Sequence, residues 1–166
     1  MSGTRIMALD PGTKRIGVAL SDEMGWIAQP LETFERRSEE ADVAHIRQLV
    51  ERHAVRQVVM GLPLRLDGRV GPEAERIKRF IEKLEAALPV PVVAWDERLT
   101  TRSAEDLLIG ANVSRRKRKG TVDRVAAAIL LQSYLESLSS AEKAGVAPDK
   151  GEQSVGGSPG VVAEGT

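Results

Sequence analysis

Two short apolar runs, residues 4–9 and 15–20, flank the polar stretch Asp10-Pro11-Gly12-Thr13-Lys14. Aliphatic runs joined by a glycine-bearing turn predict a β-hairpin. A third strand is predicted within 26–34, broken by Pro30. The period then changes. Val43, Ile46, Leu49 and Val50 recur at helical spacing, which predicts a helix over 39–53. Gln57-Val58-Val59-Met60 reads as a buried strand that Gly61-Leu62-Pro63 ends. Ala74, Ile77, Phe80, Ile81 and Leu84 predict a helix from Pro72 to Leu88, with Pro72 in the first turn where a missing N–H is harmless. Pro91-Val92-Val93-Ala94-Trp95 is the fifth strand. Helices are predicted around Thr101–Ile109 and from Val122 to Leu138.

A hairpin-led sheet followed by strands reached through helical crossovers is an α/β domain with a five-stranded mixed sheet flanked by helices. The domain is expected over residues 1–138. Residues 139–166 are rich in glycine and proline and poor in large apolar side chains, so a disordered tail is expected there. No internal repeat is visible.

Composition narrows the class. Apolar residues make up 42% and aromatics only 3%, so the core must be aliphatic. The chain has no cysteine, which excludes disulfides and thiolate metal sites. No apolar run approaches the roughly 20 residues of a membrane span, and no signal pattern opens the chain. A cytoplasmic protein without a membrane partner is expected. The formal charge is zero. Lys143 and Lys150, set against Glu142, Asp149, Glu152 and Glu164, leave residues 1–138 with 22 basic and 20 acidic residues. Distribution matters more than balance, because Arg115, Arg116, Lys117, Arg118 and Lys119 are consecutive.

Three carboxylates stand out by placement. Asp10 ends the first strand, Glu97 follows the fifth, and Asp123 opens the last helix. Ligands of open α/β sheets gather beyond the carboxyl ends of strands. The face of Asp123 continues through Ala127, Leu130 and Tyr134, and the small Ala126-Ala127-Ala128 lets that helix approach the sheet. Alone, Asp123 reads as an ordinary helix-start acid favoured by the macrodipole; as a third member of the set it reads as functional. Asp96, beside Glu97, is an alternative fourth ligand. Oxygen donors without His or Cys suit Mg²⁺ or Mn²⁺. Two such ions about 3.5–4 Å apart can clamp a phosphoryl displacement. The run 115–119 is either a solvated loop or a set of phosphate contacts. Lys14 and Arg15 offer the same choice beside Asp10. His45 and His53 read as surface residues, Asp22 and Glu23 as turn residues, Asp67-Gly68 as a turn, and Trp26 and Trp95 as core or edge packing.

Several segments together resemble the RuvX-like (YqgF) family, whose fold is that of ribonuclease H. They are residues 9–22, Gly61-Leu62-Pro63-Leu64, Asp67-Gly68, Asp96-Glu97-Arg98-Leu99-Thr100-Thr101, and Lys119 through Leu135. The resemblance covers roughly residues 4–138. It implies a nuclease that resembles Holliday junction resolvases and is assigned to maturing the 5′ end of 16S ribosomal RNA precursors. It implies Asp10, Glu97 and Asp123 as catalytic, metal-holding carboxylates. The family usually has Asn after Gly-Leu-Pro-Leu, where this chain has Arg65. Many ribonuclease H-like enzymes carry an acid at the end of the fourth strand; here Gly61-Leu62-Pro63 stands there, so Glu97 must supply that ligand.

The expected function is therefore metal-dependent phosphodiester hydrolysis, on structured RNA or, second, branched DNA. Partners would be pre-16S rRNA and the ribosome or its precursor, with the protein a monomer or homodimer. Two other classes stay open. The Leu9-Asp10-Pro11-Gly12-Thr13 loop also resembles the phosphate loop of actin-like ATPases and sugar kinases, although those close two such domains around a nucleotide. A non-catalytic RNA-binding assembly or transcription factor would use the basic residues without the acids.

Overall fold

A computed structural model describes residues 3–64, 67–99 and 119–143, with side chains over 124–140 of the last stretch. The elements are β1 (Arg5–Pro11), β2 (Arg15–Ser21), β3 (Ala28–Glu35), α1 (Glu39–Arg52), β4 (Val55–Leu62), α2 (Pro72–Ala87), β5 (Val92–Asp96), a 3-10 turn (Glu97–Leu99) and α3 (Lys119–Lys143). The sheet order is β3-β2-β1-β4-β5. β1, β2 and β3 form an antiparallel meander, while β4 and β5 run parallel to β1. The mixed five-stranded sheet is as expected. The helix expected at 101–109 lies outside the described residues. α3 continues to Lys143, five residues past its expected end.

Strand alternation sorts the core into two layers. Met7, Leu9, Val58, Met60 and Val92 point to one face, where α1 and α2 cover them with Ile46, Leu49, Ile77, Phe80 and Leu84. Ile6, Ala8, Val59 and Val93 point to the other, against Ala127, Leu130, Leu131 and Tyr134 of α3. The aliphatic composition is thus used on both faces of one sheet. β3 is an edge strand, which is where Pro30 is tolerated; the ladder shifts register between Val18 and Ala19, opposite it.

The helix starts follow local chemistry. Ser38 caps α1 by accepting a hydrogen bond from the Ala41 N–H at 3.0 Å. Pro72 begins α2 directly after Gly71. β4 runs two residues beyond its expected end, through Gly61 and Leu62. Trp26 departs from expectation: its ring is 69% exposed. It sits in the β2–β3 connection, where Asp22 Oδ1 holds the main-chain N–H groups of Trp26 and Ile27 at 2.7 and 3.0 Å. Trp95, as expected, packs, meeting Tyr134 edge-on at 5.0 Å.

Candidate nuclease site

Asp10 follows Ile6 and Ala8 on the α3 face of β1, one residue before the strand ends. Its cross-strand neighbour on β2 is Gly17. A partner without a side chain leaves the carboxylate reachable on that side. The β4–β5 ladder pairs Gly61 with Trp95 and Leu62 with Asp96, so Glu97 is the first residue past the ladder. Its carboxylate turns back over Gly61. A Cβ built at Gly61 would lie 2.8 Å from Glu97 Oε2 and 2.8 Å from Leu130 Cδ1. This is where the chain requires a glycine: only hydrogen leaves room for an acid from β5 to lie above β4.

Asp10 and Glu97 share a side-chain hydrogen bond. The environment of Glu97 acts in the opposite direction to this bond. Partial burial pushes the Glu97 pKa up, and the charges of Glu73 and Asp96 push it further, against the opposing hydrogen bond from Asp10. Asp96 behaves oppositely. Its carboxylate accepts Arg98 Nη2 at 2.7 Å and the Arg98 main-chain N–H at 2.9 Å, which holds its pKa below the ordinary value. Asp96 is thereby committed to Arg98. The two neighbouring acids are separated by environment as well as direction.

Of Asp123 the structure gives the helix position. Tyr134 meets Gln57 near the start of β4, at 3.3 Å between Tyr134 Oη and Gln57 Oε1, and Leu130 meets Gly61 near its end. α3 packs chiefly over β2, β3 and β1 and reaches β4 through these two side chains, and its N-terminal turns continue toward the carboxyl ends of β1 and β4. Asp123 precedes Leu130 by seven residues, about 10 Å of helix, on the line of the buried Ala127, Leu130 and Tyr134. Among the described residues no group of three possible metal-ligating side chains is assembled; the Asp123 side chain is outside that set.

Lys14 is exposed and Arg15 half-exposed in and after the β1–β2 turn. That turn is pinned from outside: Arg36 donates Nη1 to the Gly12 carbonyl at 3.0 Å and its main-chain N–H to the Lys14 carbonyl at 2.8 Å. Arg36 is held in turn by the buried Asp42 and by the Phe80 ring 5.2 Å beneath it. Arg115, Arg116, Lys117 and Arg118 lie outside the described residues, and Lys119 opens α3 with its side chain undescribed. Of the histidines, His45 is bound to Glu32 at 2.6 Å and packs on Phe34. Sequence reasoning missed Glu73, whose charge reaches Glu97 from an element distant in sequence, and the Arg36–Asp42 brace, whose six-residue spacing across the β3–α1 connection matches no helix or strand period.

Residues 4–137 match the family model RuvX, described as a Holliday junction resolvase. The chain belongs to the RuvX family. Relatives named pre-16S rRNA nuclease include one from Halalkalibacterium halodurans, 50% identical over 134 residues, which cover 80% of this chain and 96% of the relative. Another, from Bacillus subtilis, is 48% identical over 136 residues, covering 81% and 99%. Solved structures of the same ribonuclease H-like fold include Thermus thermophilus RuvC with a Holliday junction (TM-score 0.56, 14% identity, covering 81% of this chain and 96% of that one). The fowlpox virus resolvase with Holliday junction DNA is similar at TM-score 0.53 and 16% identity, covering 81% and 98%. Family and relatives agree on nucleic-acid cleavage, and this RuvX-family chain is a nuclease. No described helix is long and apolar enough to cross a membrane.

Proposed function

We propose that this RuvX-family chain is a divalent-metal-dependent endonuclease that cleaves structured RNA in the 5′-end maturation of pre-16S rRNA. The carrying observation is the hydrogen-bonded meeting of Asp10 and Glu97 at the carboxyl ends of β1 and β5. Half-buried oxygen donors, one with a pKa raised by burial and by neighbouring acids, fit a hard divalent ion such as Mg²⁺ or Mn²⁺. Asp10, Glu97 and Asp123 would hold one or two such ions. Bound there, the metal supplies the charge that offsets the phosphodiester and acidifies the attacking water.

The chain's own residues do the rest. Gly61 fixes where the Glu97 carboxylate lies. Arg36 fixes the turn after Asp10. Lys14 and Arg15 offer charge to the phosphates on that side, and the basic run 115–119 offers it ahead of Asp123. Hydrolysis adds the water oxygen to phosphorus, breaks one P–O ester bond and passes the water's proton to the leaving oxygen. The names of the relatives support pre-rRNA as substrate and, with it, a cytoplasmic setting on a ribosomal precursor. The junction complexes among the structural neighbours support branched DNA as the second reading; cutting both strands of a junction would call for a homodimer, whereas RNA trimming suits a monomer.

A side-by-side cleavage assay on precursor rRNA and a four-way DNA junction, with Mg²⁺ or Mn²⁺, decides the substrate. Solution mass decides the assembly. Asp10→Asn should abolish cleavage of either substrate; unchanged cleavage by that variant sinks the site. RNA affinity indifferent to metal and to loss of the acids would favour a non-catalytic binder instead.

A further inference from the structure

A cleft of about 470 Å³ opens beside the carboxylates and is not used by the site as described. Pro11, Gly12 and Thr13 of the β1–β2 turn form one wall, directly after Asp10. The flank of α2 forms the other, with Ile77 and Phe80 at its base. Its charges are ordered along its length. Glu73 stands at the end that communicates with Glu97. Arg76 and Arg79 follow on the α2 wall.

Most charged groups here are already engaged. Arg36 is tied to Asp42 and the Gly12 carbonyl, and Glu39 pairs with Lys83 at 2.7 Å. Arg76 and Arg79 are different: both are exposed, and neither joins an ion pair among the described residues. Three residues apart on a helix, they present adjacent guanidiniums that repel one another unless an anion lies between them. Guanidinium forks match phosphate oxygens in shape and charge.

We propose that this cleft is a second phosphate-binding site, in which Arg76 and Arg79 hold the backbone of the same nucleic-acid strand that reaches Asp10 and Glu97. The inference rests on the nuclease reading above and extends the substrate's path from the α3 face, over the end of β1, onto the α2 side. The acidic end suits a phosphate accompanied by cations, and the basic wall suits a bare one. A strand lying across both satisfies each in turn.

The test is the salt dependence of binding, measured on the full-length chain by fluorescence anisotropy with a labelled single-stranded RNA in EDTA, so that no cleavage occurs. Each phosphate contact to a single strand contributes about 0.7 to the slope of log K against log salt. Arg76→Gln with Arg79→Gln should flatten that slope by about 1.4. Lys78→Gln with Arg52→Gln removes the same charge elsewhere and should leave the slope as it is. Arg76→Lys with Arg79→Lys should largely restore it. In cleavage assays the double Gln variant should raise KM and leave kcat alone. Equal slopes for the two double Gln variants, or a wild type with no salt-dependent binding, would overturn the proposal. Asp10→Asn fails or succeeds independently of these slopes, so loss of the metal site and loss of the strand path are told apart.

Discussion

Gly61→Ala tests the geometry of the site most directly, because it adds one methyl and removes no functional group. That methyl would sit 2.8 Å from both Glu97 Oε2 and Leu130 Cδ1, and 3.3 Å from Glu97 Cγ. Ordinary carbon contacts lie near 3.5 Å, so each neighbour must retreat by about 0.7 Å. Leu130 is 3% exposed and embedded against the sheet, which leaves it little room. The Glu97 carboxylate is the end of a flexible side chain, so it takes most of the shift and parts from Asp10. Overpacking costs about 1–3 kcal/mol, and replacing a strand glycine returns about 0.5–1 kcal/mol. The net loss of about 0–2.5 kcal/mol corresponds to a Tm fall of no more than about 10 °C for a chain of this size.

Activity should suffer more. A misplacement approaching 1 Å at a reacting centre can cost about 100-fold in rate. The expected signature is therefore a folded protein with kcat down by one to two orders of magnitude and a smaller Mg²⁺-induced rise in Tm. Glu97→Ala supplies the second leg of a double-mutant cycle. If Gly61→Ala acts by displacing Glu97, it should change nothing further in the Glu97→Ala background, judged by residual cleavage and by the Mg²⁺-induced Tm shift. Wild-type kcat in Gly61→Ala, or fully additive losses in the double variant, would refute the reasoning.

Three further outcomes follow from the fold. Asp42→Ala should destabilise by about 1–3 kcal/mol, because it strips the partners of the Arg37 N–H at 3.1 Å and of the half-buried Arg36 guanidinium; thermal melting checks it, and cleavage should fall as well, since Arg36 braces the turn after Asp10. Ala54 has a left-handed φ of 53° in the tight passage from α1 to β4, so Ala54→Gly should raise stability by up to about 1 kcal/mol; a lower Tm would contradict that. The Asp22 pKa lies below its ordinary value, chiefly through the Ile27 N–H, with desolvation opposing and the Trp26 N–H adding to the fall. A depressed acid contributes stability that is complete above its unfolded pKa of 3.8 and drains as pH falls through the folded value. Asp22→Ala should thus lower Tm at pH 7, by an amount kept small by solvent screening, and the difference should vanish toward pH 2; a gap that widens on acidification would reverse the assignment.

Periodicity made most of the scaffold readable. Val43, Ile46, Leu49 and Val50 mark the α1 face, and Ala74 through Leu84 mark α2, because burial against a sheet demands those spacings. Ala127, Leu130 and Tyr134 were readable for the same reason and are buried as their spacing implies. Glycine misled at Gly61, which punctuation rules read as a strand end and the structure keeps inside β4, since its role is set by a residue 36 positions away. Trp26 misled because an isolated aromatic usually packs, whereas this one rides on a connection shaped by main-chain bonds to Asp22. Asp42 and Glu73 are first-turn acids, favourable to the helix dipole, and carry no other signal in the sequence. Only the third dimension sets one under Arg36 and the other within reach of Glu97.

The same third dimension explains why the second acid comes from β5. At the end of β4, a side chain on the α3 face would occupy the space that Leu130 and the Glu97 carboxylate share. Moving the acid to the residue after β5 lengthens its reach by one strand spacing, about 4.8 Å, which glutamate spans better than aspartate. It also places the carboxyl beside the start of α2, where Glu73 adds to the pressure on its proton. A divalent cation held by the proposed pair would relieve that pressure. The site therefore depends on both faces of the sheet at once: α3 closes the space above Gly61, and α2 sets the charge beside Glu97. Changes on α2 far from any reacting atom, such as Glu73→Gln, should accordingly weaken the electrostatic case for metal and lower Mg²⁺ affinity without moving Asp10 or Glu97. Mg²⁺ titration followed by the metal-induced Tm shift measures this, and an affinity equal to that of the wild type would separate the two faces.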